Sequence, residues 1–368
     1  MVTMSVARRN MMAGKGRTAL SIAGVAIATL LLLFVLGLYR GWSDGIVRYI
    51  RETKTDVWVV GKGADSFFTP SIVFNTAVFN VSQTPGIKRT DTIIGRPMTL
   101  RHGGNGWQAY VIGFDTEGAG GPVEIAEGSG KPGDGEIVID EVLAKTSGWN
   151  VGDDLQAGLR SLKVVGISRG GNLVLAQLAF VNKDEARTLL GVDSVVNFVL
   201  LQTAPGQTAN VVASINKSAN GVTAFDAATF GDNSQKVLHR SMLPILLVIV
   251  LLAVVVGTIV VGLTVYTAVV EKEREFGVLK ALGVTAAGLT RVVFEQSLIC
   301  GALGFALGVG LTYLVSWLAG LAIPQVVPVF RLQDMALVLL AAGLMSVVAA
   351  LLPMQRVIRV DTLSVFKA

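Results

Sequence analysis

Charged residues are scarce in this chain. Of its 368 residues, 15% are charged and 52% are hydrophobic, whereas a soluble globular domain has about 25% charged residues. This scarcity argues against an ordinary soluble protein. A membrane protein is the alternative, and it would contain uncharged runs of about 20 residues, long enough to cross a bilayer.

Reactive side chains are also few, with one cysteine and two histidines. The lone Cys300 excludes an internal disulfide framework and a cysteine-rich metal site. His102 lies in the turn-like stretch RHGGNGW without a second ligand at zinc-site spacing, so a solvated loop histidine is the simpler interpretation. G-x-S-x-G occurs at residues 41–45 and 166–170, but neither match has the strand-to-helix context of a nucleophile elbow, and G-x-x-x-x-G-K-[ST] does not occur. We therefore expect no catalytic site in this chain and no ATP site of the P-loop kind.

Four uncharged runs are long enough to be transmembrane helices. They are Thr18–Tyr39 with 22 residues, Ser241–Val270 with 30, Gln296–Phe330 with 35 and Met335–Gln355 with 21. In the third run, Pro324 and Pro328 predict that the helix ends near Ala322. The first run follows a basic lead-in, as in a signal sequence. It exceeds the roughly 7–15 residues of a signal core, so a retained anchor is favoured.

The positions of lysine and arginine predict the orientation of these helices. Residues 1–17 carry four bases and no acid, and bases recur in 271–295 and after residue 355. The positive-inside rule places both termini and 271–295 in the cytoplasm. The outer segment from Arg40 to Arg240 carries 19 bases and 20 acids. The net charge of +5 therefore comes from the cytoplasmic flanks, and no nucleic-acid partner is expected.

The outer segment has the pattern of a mixed α/β domain. Short β-branched runs such as TDVWVV, EIVID and NFVLLQT alternate with helical patterns and glycine-rich turns. Asp140 and Asn182 are predicted N-caps, and Gly148 and Gly191 are predicted helix stops. The stretch 61–108, rich in Gly, Thr and Asn, is the least defined part, and a small inserted subdomain is one interpretation of it.

The predicted fold class is an α-helical membrane protein with four transmembrane helices and a mixed α/β extracytoplasmic domain between the first and second helices. The predicted segments are a cytoplasmic N-terminal segment 1–17, transmembrane helices 18–39, 241–270, 296–322 and 335–355, the extracytoplasmic domain 40–240, a cytoplasmic segment 271–295, an outer loop 323–334 and a cytoplasmic tail 356–368.

The stretch EKEREFGVLKALGV, residues 271–284, is highly charged for so apolar a chain. Its pattern predicts a helix from Glu271 to Leu282, with Phe276, Leu279 and Leu282 near one face. Glu271 and Arg274 are spaced to pair at i, i+3, and Gly283 is a natural stop. A soluble partner could grip such an element. Alternatively, it is a solvated loop whose charges only fix the topology.

The third apolar run contains a G-x-x-x-G pair, Gly304 and Gly308. Small residues at this spacing let membrane helices approach closely. The alternative is that glycine is simply common in membrane helices. None of the four spans contains a charged residue, and this argues against an ion or proton carrier.

Two stretches closely resemble the signature of MacB/FtsX-type ABC transporter permeases, the group that includes DevC, LolC and MacB. They are REFGVLKALG, residues 274–283, and EQSLICGALGFALG, residues 295–308. GKGRTALSIAGVAIA (14–28) and GEIVIDEVLAKTSGWNVGDDL (135–155) resemble the family's first span and extracytoplasmic core. PMQRVIRVDTLSVFK (353–367) resembles its closing motif, although Thr362 replaces the usual proline.

This resemblance implies a permease of the bacterial inner membrane with both termini in the cytoplasm. The chain itself binds no cofactor; a separate cytoplasmic ABC ATPase binds ATP. A second permease copy is implied as a partner, as a homodimer or as a related chain, together with membrane lipid. In the family, the segment between the second and third spans is a coupling element held by the ATPase. The contact candidates carried over by position are Glu271, Glu273, Arg274, Glu275, Phe276, Gly277, Leu279, Lys280 and Gly283, with Arg356 and Arg359 as weaker ones.

The resemblance does not identify the client. Members export or extract hydrophobic or amphiphilic substrates, including drugs, lipids, lipoproteins and peptides, some with a periplasmic adaptor protein. The full-sized outer domain favours this function. The alternative is a non-transporting mechanotransmission regulator, such as an activator of cell-wall hydrolases. A receptor without an ATPase is disfavoured by the 274–283 motif.

Overall fold

The computed structural model describes residues 15–171, 177–323 and 328–359. The chain divides into two compact units. Gly41–Met242 forms the larger part of one, here called the α/β unit, and the other, here called the helical unit, contains Met1–Arg40, Leu243–Leu321 and Val327–Ala368. The sequence-based predictions for residues 1–14, Pro324, Thr362 and the rest of the tail from 360, and for the Arg359 side chain, lie outside the described part.

Long helices alternate with a strand-rich central region. The helices are α1 Lys15–Glu52, α2 Asn75–Ser82, α3 Glu141–Ser147, α4 Lys183–Leu190, α5 Thr208–Ser218, α6 Ala227–Glu271, α7 Glu273–Ala281, α8 Ala286–Ala322 and α9 Leu332–Arg359. The strands are β1 Val57–Gly61, β2 Val73–Phe74, β3 Ile87–His102, β4 Asn105–Phe114, β5 Glu124–Gly128, β6 Glu136–Asp140, β7 Asp154–Ala157, β8 Arg160–Arg169, β9 Gln177–Asn182, β10 Val195–Val196, β11 Phe198–Thr203 and β12 Val222–Asp226.

Four helices, α1, α6, α8 and α9, are long and apolar enough to cross a membrane, and each contains one of the four predicted spans. The prediction of four such helices with an α/β domain between the first two is therefore confirmed. α1 has 38 residues and α6 has 45. At 1.5 Å per residue they are about 57 and 68 Å long, roughly twice the hydrocarbon thickness of a bilayer. Both helices therefore continue well beyond their apolar runs.

Small residues bring α8 close to α1 within the helical unit. A Cβ built on Gly304 would lie 2.5 Å from the Val25 Cβ, and one built on Gly308 would lie 2.5 Å from the Thr29 Cβ and 2.7 Å from the Ala26 carbonyl oxygen. All three distances are far below normal van der Waals contacts. The structure thus places the G-x-x-x-G pair at a helix crossing, where a larger residue would force the helices apart.

Two ion pairs connect α1 to other helices of the helical unit. Near its start, Arg17 pairs with Glu271 at the end of α6. Farther along the helix, Arg40 donates from Nε and Nη2 to the two carboxylate oxygens of Asp334 in α9, at 3.1 and 3.0 Å. The Asp334 side chain is only 9% exposed, so this two-point bond is shielded from water and has a defined geometry.

The α/β unit is built on a ten-stranded sheet with the order β12-β1-β11-β3-β4-β9-β6-β8-β5, and β7 pairs with β3 and β8. The pairs β4–β9 and β6–β8 are parallel and the others are antiparallel. β3 lies between β11 and β4. From residue 87 onward, the stretch 61–108 is therefore part of the main sheet and not an inserted subdomain.

Alternate residues of the central strands face two different layers. Val57 and Val59 of β1 belong to a buried cluster that also contains apolar residues of α2, α3, α4 and α5. Trp58 and Val60 belong to the opposite cluster, which contains Ile46, Tyr49 and Ile50 of α1 and Phe230 of α6. The sheet is therefore buried on both faces at β1 and β11, which explains why these two strands are almost wholly apolar.

The two predicted N-caps and the two glycine stops are confirmed. The Asn182 side chain accepts a hydrogen bond from the Glu185 N–H, and the Asp140 side chain accepts one from the Val142 N–H. Gly148 and Gly191 end their helices in the left-handed conformation, with φ of 77° and 62°. These caps depend on residues within one turn, so the sequence pattern is sufficient to locate them.

Asp140 has a second role that the local sequence does not reveal. Its other carboxylate oxygen accepts a hydrogen bond of 2.9 Å from the N–H of Gly171, and the residue is fully buried. Burial raises the pKa of Asp140 to about 6, although the two N–H donors favour the charged form. The carboxyl group therefore links the start of α3 to the residues that follow β8, and its pKa lies above the ordinary value of an aspartate.

We expect Gly308→Leu to destabilise the helical unit by about 3 kcal/mol, because the new side chain would meet the backbone of α1. Thermal unfolding of the full chain in detergent would measure the loss as a lower midpoint. Gly310→Leu is the matched control, since nothing lies within 4 Å of a Cβ built on Gly310. Equal midpoints for the two variants would contradict the close crossing of α1 and α8.

We expect the Asp140 carboxyl to make the α/β unit less stable at pH 7 than at pH 4. The pKa is higher in the folded state than the ordinary value of about 3.9, so the folded state binds more protons. The stabilisation is complete below that ordinary value and is lost as pH rises through about 6. The free energy of unfolding of wild type relative to Asp140→Asn should fall by about 2–3 kcal/mol over this range.

Urea unfolding of the full chain, followed by tryptophan fluorescence, would test this pH dependence. Four of the five tryptophans, Trp42, Trp58, Trp107 and Trp149, lie in the α/β unit, so the signal reports mainly on that unit. A wild-type and variant difference that stays constant from pH 4 to 7 would show that Asp140 does not titrate as proposed.

Candidate coupling site

The charged segment after α6 forms a separate short helix. α6 ends at Glu271, Lys272 leaves the helical conformation with φ −98° and ψ 13°, and α7 begins at Glu273. The sequence predicts one continuous helix from Glu271 to Leu282, and this prediction is wrong at its start. The break at Lys272 makes α7 a distinct element of 9 residues between two of the long apolar helices.

Gly283 ends this element, as predicted. α7 stops at Ala281, and Gly283 follows with a φ of +95°, in the left-handed region that residues with a Cβ rarely adopt. The Val284 N–H then donates to the Leu279 carbonyl at 3.0 Å, and the Gly283 N–H donates to the Lys280 carbonyl at 3.1 Å. These bonds use carbonyls at the end of α7 that lack helical partners.

The inner face of α7 is buried in the helical unit. Phe276 is 5% exposed and shares a buried apolar cluster with Val269 of α6, Leu289 of α8 and Val357 of α9. Gly277 beside it is also buried. Phe276 therefore serves as an anchor that attaches α7 to three of the long helices, and its side chain is not a free contact surface.

Leu279 and Leu282 differ in how deeply their side chains are buried. Leu279 is partly buried and packs against the Phe276 cluster, whereas Leu282 is 77% exposed. The prediction that Phe276, Leu279 and Leu282 lie on one face therefore fails at Leu282. Leu282 follows the last residue of α7, so its side chain no longer follows the helical periodicity.

Polar contacts add to the attachment of α7. Arg356 of α9 donates to Glu273 at 3.1 Å, and the Lys280 ammonium donates to the Ile358 carbonyl at 3.2 Å. The predicted i, i+3 pair of Glu271 with Arg274 is absent, because Glu271 pairs with Arg17 of α1. Sequence spacing cannot reveal such pairs, which join residues far apart in the chain.

The outer face of α7 carries side chains of three kinds: a base, an acid and apolar groups. Arg274 and Glu275 are exposed, and Glu275 lies 3.5 Å from the Lys272 ammonium. Within the described residues, Arg274 forms no ion pair. Val278 is 44% exposed, and together with Leu282 it supplies apolar surface that the sequence pattern did not single out.

The candidate residues, together with Val278 and Leu282, thus separate into two groups. The anchoring group faces the long helices or bonds to their ends: Glu271, Glu273, Phe276, Gly277, Leu279 and Lys280, with Arg356 as a partner. The exposed group, here called the outer face, contains Arg274, Glu275, Val278 and Leu282. Gly283 shapes the end of the helix and belongs to neither group.

We expect Phe276→Ala to detach α7 from the helical unit, at a cost of about 3–5 kcal/mol for loss of a buried aromatic ring. Hydrogen exchange of the α7 amides in the full chain should become much faster, and the thermal midpoint should fall. Val278→Ala, on the exposed face of the same helix, is the control, with an expected change below about 0.5 kcal/mol. Unchanged exchange in Phe276→Ala would contradict the anchoring role.

Comparison with known proteins covers nearly the whole chain. Residues 18–218 match the MacB-like periplasmic core domain, and residues 247–362 match the FtsX-like permease C-terminal domain. An uncharacterized ABC transporter permease of Mycobacterium bovis is 26% identical over 362 residues, covering 94% of each chain. Another, from Mycobacterium tuberculosis, is 25% identical over 364 residues, covering 98% of each chain.

Among solved structures, the periplasmic region of MacB from Actinobacillus actinomycetemcomitans matches 51% of this chain and 96% of that one, with a TM-score of 0.39 and 11% identity. This likeness is too weak to bear on the fold. The family matches show the family, because the match to the core domain alone covers more than half of the chain. The match to the permease C-terminal domain follows it along the sequence. The chain belongs to the MacB/FtsX-type ABC transporter permeases.

Proposed function

We propose that this permease couples ATP hydrolysis by a separate cytoplasmic ATPase to movement of its α/β unit, and that the coupled complex exports or extracts an amphiphilic substrate. The observation that carries the proposal is the division of α7 into an anchored inner face and an exposed outer face. An element with these two faces can be pushed by a partner and can pass the displacement to the long helices.

The anchoring contacts supply the mechanical link. Phe276 connects α7 to α6, α8 and α9 at once, and the Glu273–Arg356 pair adds a polar bond to the end of α9. Packed interiors are dense and transmit strain instead of absorbing it. A force on α7 would therefore displace several long helices together, among them α6, which continues from the end of β12 without a break.

The outer face supplies the partner contact. Protein interfaces combine an apolar centre with polar residues around it, and this face offers Val278 and Leu282 beside Arg274 and Glu275. Charges of both signs favour a partner surface of matching pattern and fix its register. These four residues are the contact set that we propose for the ATPase.

The distribution of bases supports a cytoplasmic position for α7. Lys15 and Arg17 lie at the start of α1, Lys272 and Arg274 lie around α7, and Arg291 follows in α8. Lysine and arginine concentrate on the cytoplasmic side of membrane helices. On the same ground we propose that both termini are cytoplasmic and that the α/β unit lies outside, with the chain in the inner membrane of a bacterium.

A second permease copy is part of the proposal. α6 exposes a row of large apolar residues, among them Leu251, Leu252, Val255, Val256 and Ile259, and in a membrane such a surface faces lipid or another helix. We propose a homodimer, with lipid covering what the second copy leaves open. A periplasmic adaptor would complete an exporter of this kind.

We expect Leu282→Asp to weaken association with the ATPase at least tenfold while the chain still inserts and folds. A charge at the centre of an interface is costly to desolvate, whereas Leu282 is already 77% exposed in the free chain. Co-purification of the two subunits and ATP hydrolysis by the complex in nanodiscs would measure the loss.

Leu332→Asp is the matched control for this experiment. Leu332 is 82% exposed at the start of α9, in the predicted outer loop away from any cytoplasmic partner, so its substitution should leave association unchanged. Arg274→Glu should weaken association as Leu282→Asp does, because it reverses a charge on the outer face. Normal association of both outer-face variants would exclude α7 as the ATPase contact.

A further inference from the structure

The helical unit contains a groove between α6 and α9 that the proposed ATPase contact does not use. It has a volume of about 760 Å³, within the range of roughly 300–1,000 Å³ that is typical of small-molecule sites. All of its lining residues belong to α6 or α9, so the groove lies within one compact unit. Both helices end beside α7: α6 stops at Glu271, and Arg356 of α9 bonds to Glu273.

Two small buried residues form the floor of the groove, and large exposed residues form its walls. Gly262 of α6 and Ala349 of α9 are both buried, and a Cβ built on Gly262 would lie 3.5 Å from the Ala349 carbonyl oxygen. Ile259, Leu263 and Val348 also line the groove, and they are 60%, 61% and 43% exposed. The apolar walls are therefore accessible to a ligand.

Helical periodicity places the Arg356 side chain on the groove side of α9. Arg356 follows Ala349 by seven residues, which is two helical turns and about 10 Å along the axis, so both residues lie on nearly the same face. The hydrogen bond from Arg356 to Glu273 agrees with this placement, because Glu273 comes directly after the end of α6. On α6, Tyr266 follows Gly262 by one turn and lines the groove as well.

The available polar groups collect at one end of the groove. Tyr266, Gln355 and Arg356 line it within the last two turns of their helices. Among the described residues, neither the Tyr266 hydroxyl nor the Gln355 amide has a hydrogen-bond partner, and both side chains are exposed. At the other end, the Thr258 hydroxyl already donates to the Val254 carbonyl at 2.7 Å. A polar ligand group would therefore bind at the end near α7.

Positive charge exceeds negative charge at this polar end. The Arg356 guanidinium donates one hydrogen bond, from Nη2 to Glu273 at 3.1 Å. Its remaining N–H groups, out of the five that arginine carries, have no partner in the described part of the chain. The Lys280 ammonium lies on the same turn of α9, 3.2 Å from the Ile358 carbonyl oxygen. Two bases thus lie near one acid, which favours an anionic ligand.

The position of the polar end along the helices matches the headgroup level of a bilayer. The uncharged runs of α6 and α9 end at Val270 and Gln355, and tyrosine is enriched where membrane helices leave the hydrocarbon core. From Tyr266 back to Thr258 the groove extends about 12 Å along α6, into the apolar run. Basic pockets between membrane helices on the cytoplasmic side bind anionic lipid headgroups. The groove has these features.

We propose that this groove binds a phospholipid with an anionic headgroup, its phosphate on Arg356 and Gln355 and an acyl chain along the floor at Gly262 and Ala349. The inference rests on the proposed function, because it takes this end of α6 and α9 as cytoplasmic and identifies a lipid that covers surface left open by the second copy. The phosphate would share the Arg356 guanidinium with Glu273. The lipid would therefore touch the contact that attaches α7 to α9.

Native mass spectrometry of the delipidated full chain in detergent would test the groove. The probes are phosphatidylglycerol and phosphatidylcholine with identical oleoyl chains, each added at rising concentration while the bound lipids are counted. We expect the first phosphatidylglycerol to bind about tenfold more tightly than the first phosphatidylcholine, because only phosphatidylglycerol has a net negative charge.

Three variants test the role of Arg356 in this preference. Arg356→Gln should reduce the preference for phosphatidylglycerol to about twofold or less. Arg291→Gln is the matched control and should keep the preference, because Arg291 also bonds to one carboxylate, Glu295 at 2.9 Å, but does not line the groove. Glu273→Gln should keep it too, since this change removes the ion pair and leaves the guanidinium in place. Loss of the preference in Glu273→Gln would show that Arg356 acts only through the attachment of α7.

A second pair of variants tests the apolar part of the groove. Val348→Trp should weaken binding of the first lipid of either kind at least about tenfold, because the indole would occupy the space of the acyl chain. Val347→Trp should leave binding unchanged, since Val347 is 37% exposed but does not line the groove. Thermal midpoints of both variants would establish that the helical unit is intact.

Glycerol phosphate distinguishes a lipid site from a simple phosphate site. It carries the anionic group without acyl chains, and each buried methylene contributes about fourfold to affinity. We therefore expect glycerol phosphate at the concentration of the lipid to displace no bound phosphatidylglycerol. Displacement would show that the apolar walls take no part in binding.

Equal binding of the two lipids, or an unchanged preference in Arg356→Gln, would overturn the proposal. A lower fraction of dimer in Val348→Trp with unchanged lipid binding would also overturn it and would assign the groove to a second copy of the chain. The measurement contains no ATPase and no membrane sidedness, so its failure leaves the α7 coupling and the proposed orientation standing. Conversely, failure of the Leu282→Asp experiment would leave lipid binding in the groove untouched.

Discussion

The burial of Phe276 fixes α7 to the helical unit, and the proposed mechanism depends on that attachment. The side chain joins residues of α6, α8 and α9 in one apolar cluster, so the short helix cannot move without displacing its neighbours or losing a large buried surface. The Glu273–Arg356 pair contributes less, because both side chains are partly exposed and water screens their attraction. Apolar packing therefore supplies most of the rigidity, and the ion pair supplies orientation.

The α/β unit depends on a different constraint, which is a sheet buried on both faces. One face packs against α2 to α5, and the other packs against the last turns of α1 and the start of α6. The aromatic residues concentrate on the second face, where Trp58 stacks on Phe230 at 4.9 Å and Phe67 stacks on Phe198. The stacked rings therefore stabilise the domain on this face through a large buried apolar area.

Much of the fold could be predicted from local sequence. The four apolar helices, the caps at Asp140 and Asn182, and the stop at Gly283 each depend on residues within one run or one turn. β3 was missed because its sequence IKRTDTIIGRPMTLRH is charged and contains Pro97, which is unusual in a central strand. The structure tolerates Pro97 because the pairing with β11 ends at Ile93, so that part of β3 has fewer backbone partners to satisfy.

The candidate site was predicted less completely, for a physical reason. The motif located α7 but could not separate the anchoring residues from the exposed ones, because Phe276 and Leu282 are both apolar and differ only in their tertiary surroundings. The partners of Glu271 and Glu273 lie in α1 and α9, and no spacing rule connects residues so far apart.

The ion pairs of Arg17 and Arg40 limit how α1 can respond to a push. Arg17 ties one end to α6, and Arg40 ties the helix to Asp334 of α9 by two hydrogen bonds. Sliding of α1 along its own axis, as a piston moves, would stretch both connections at once. Tilting with its neighbours as a bundle keeps them intact, so a lever-like stroke is mechanically easier for this permease than a piston-like one.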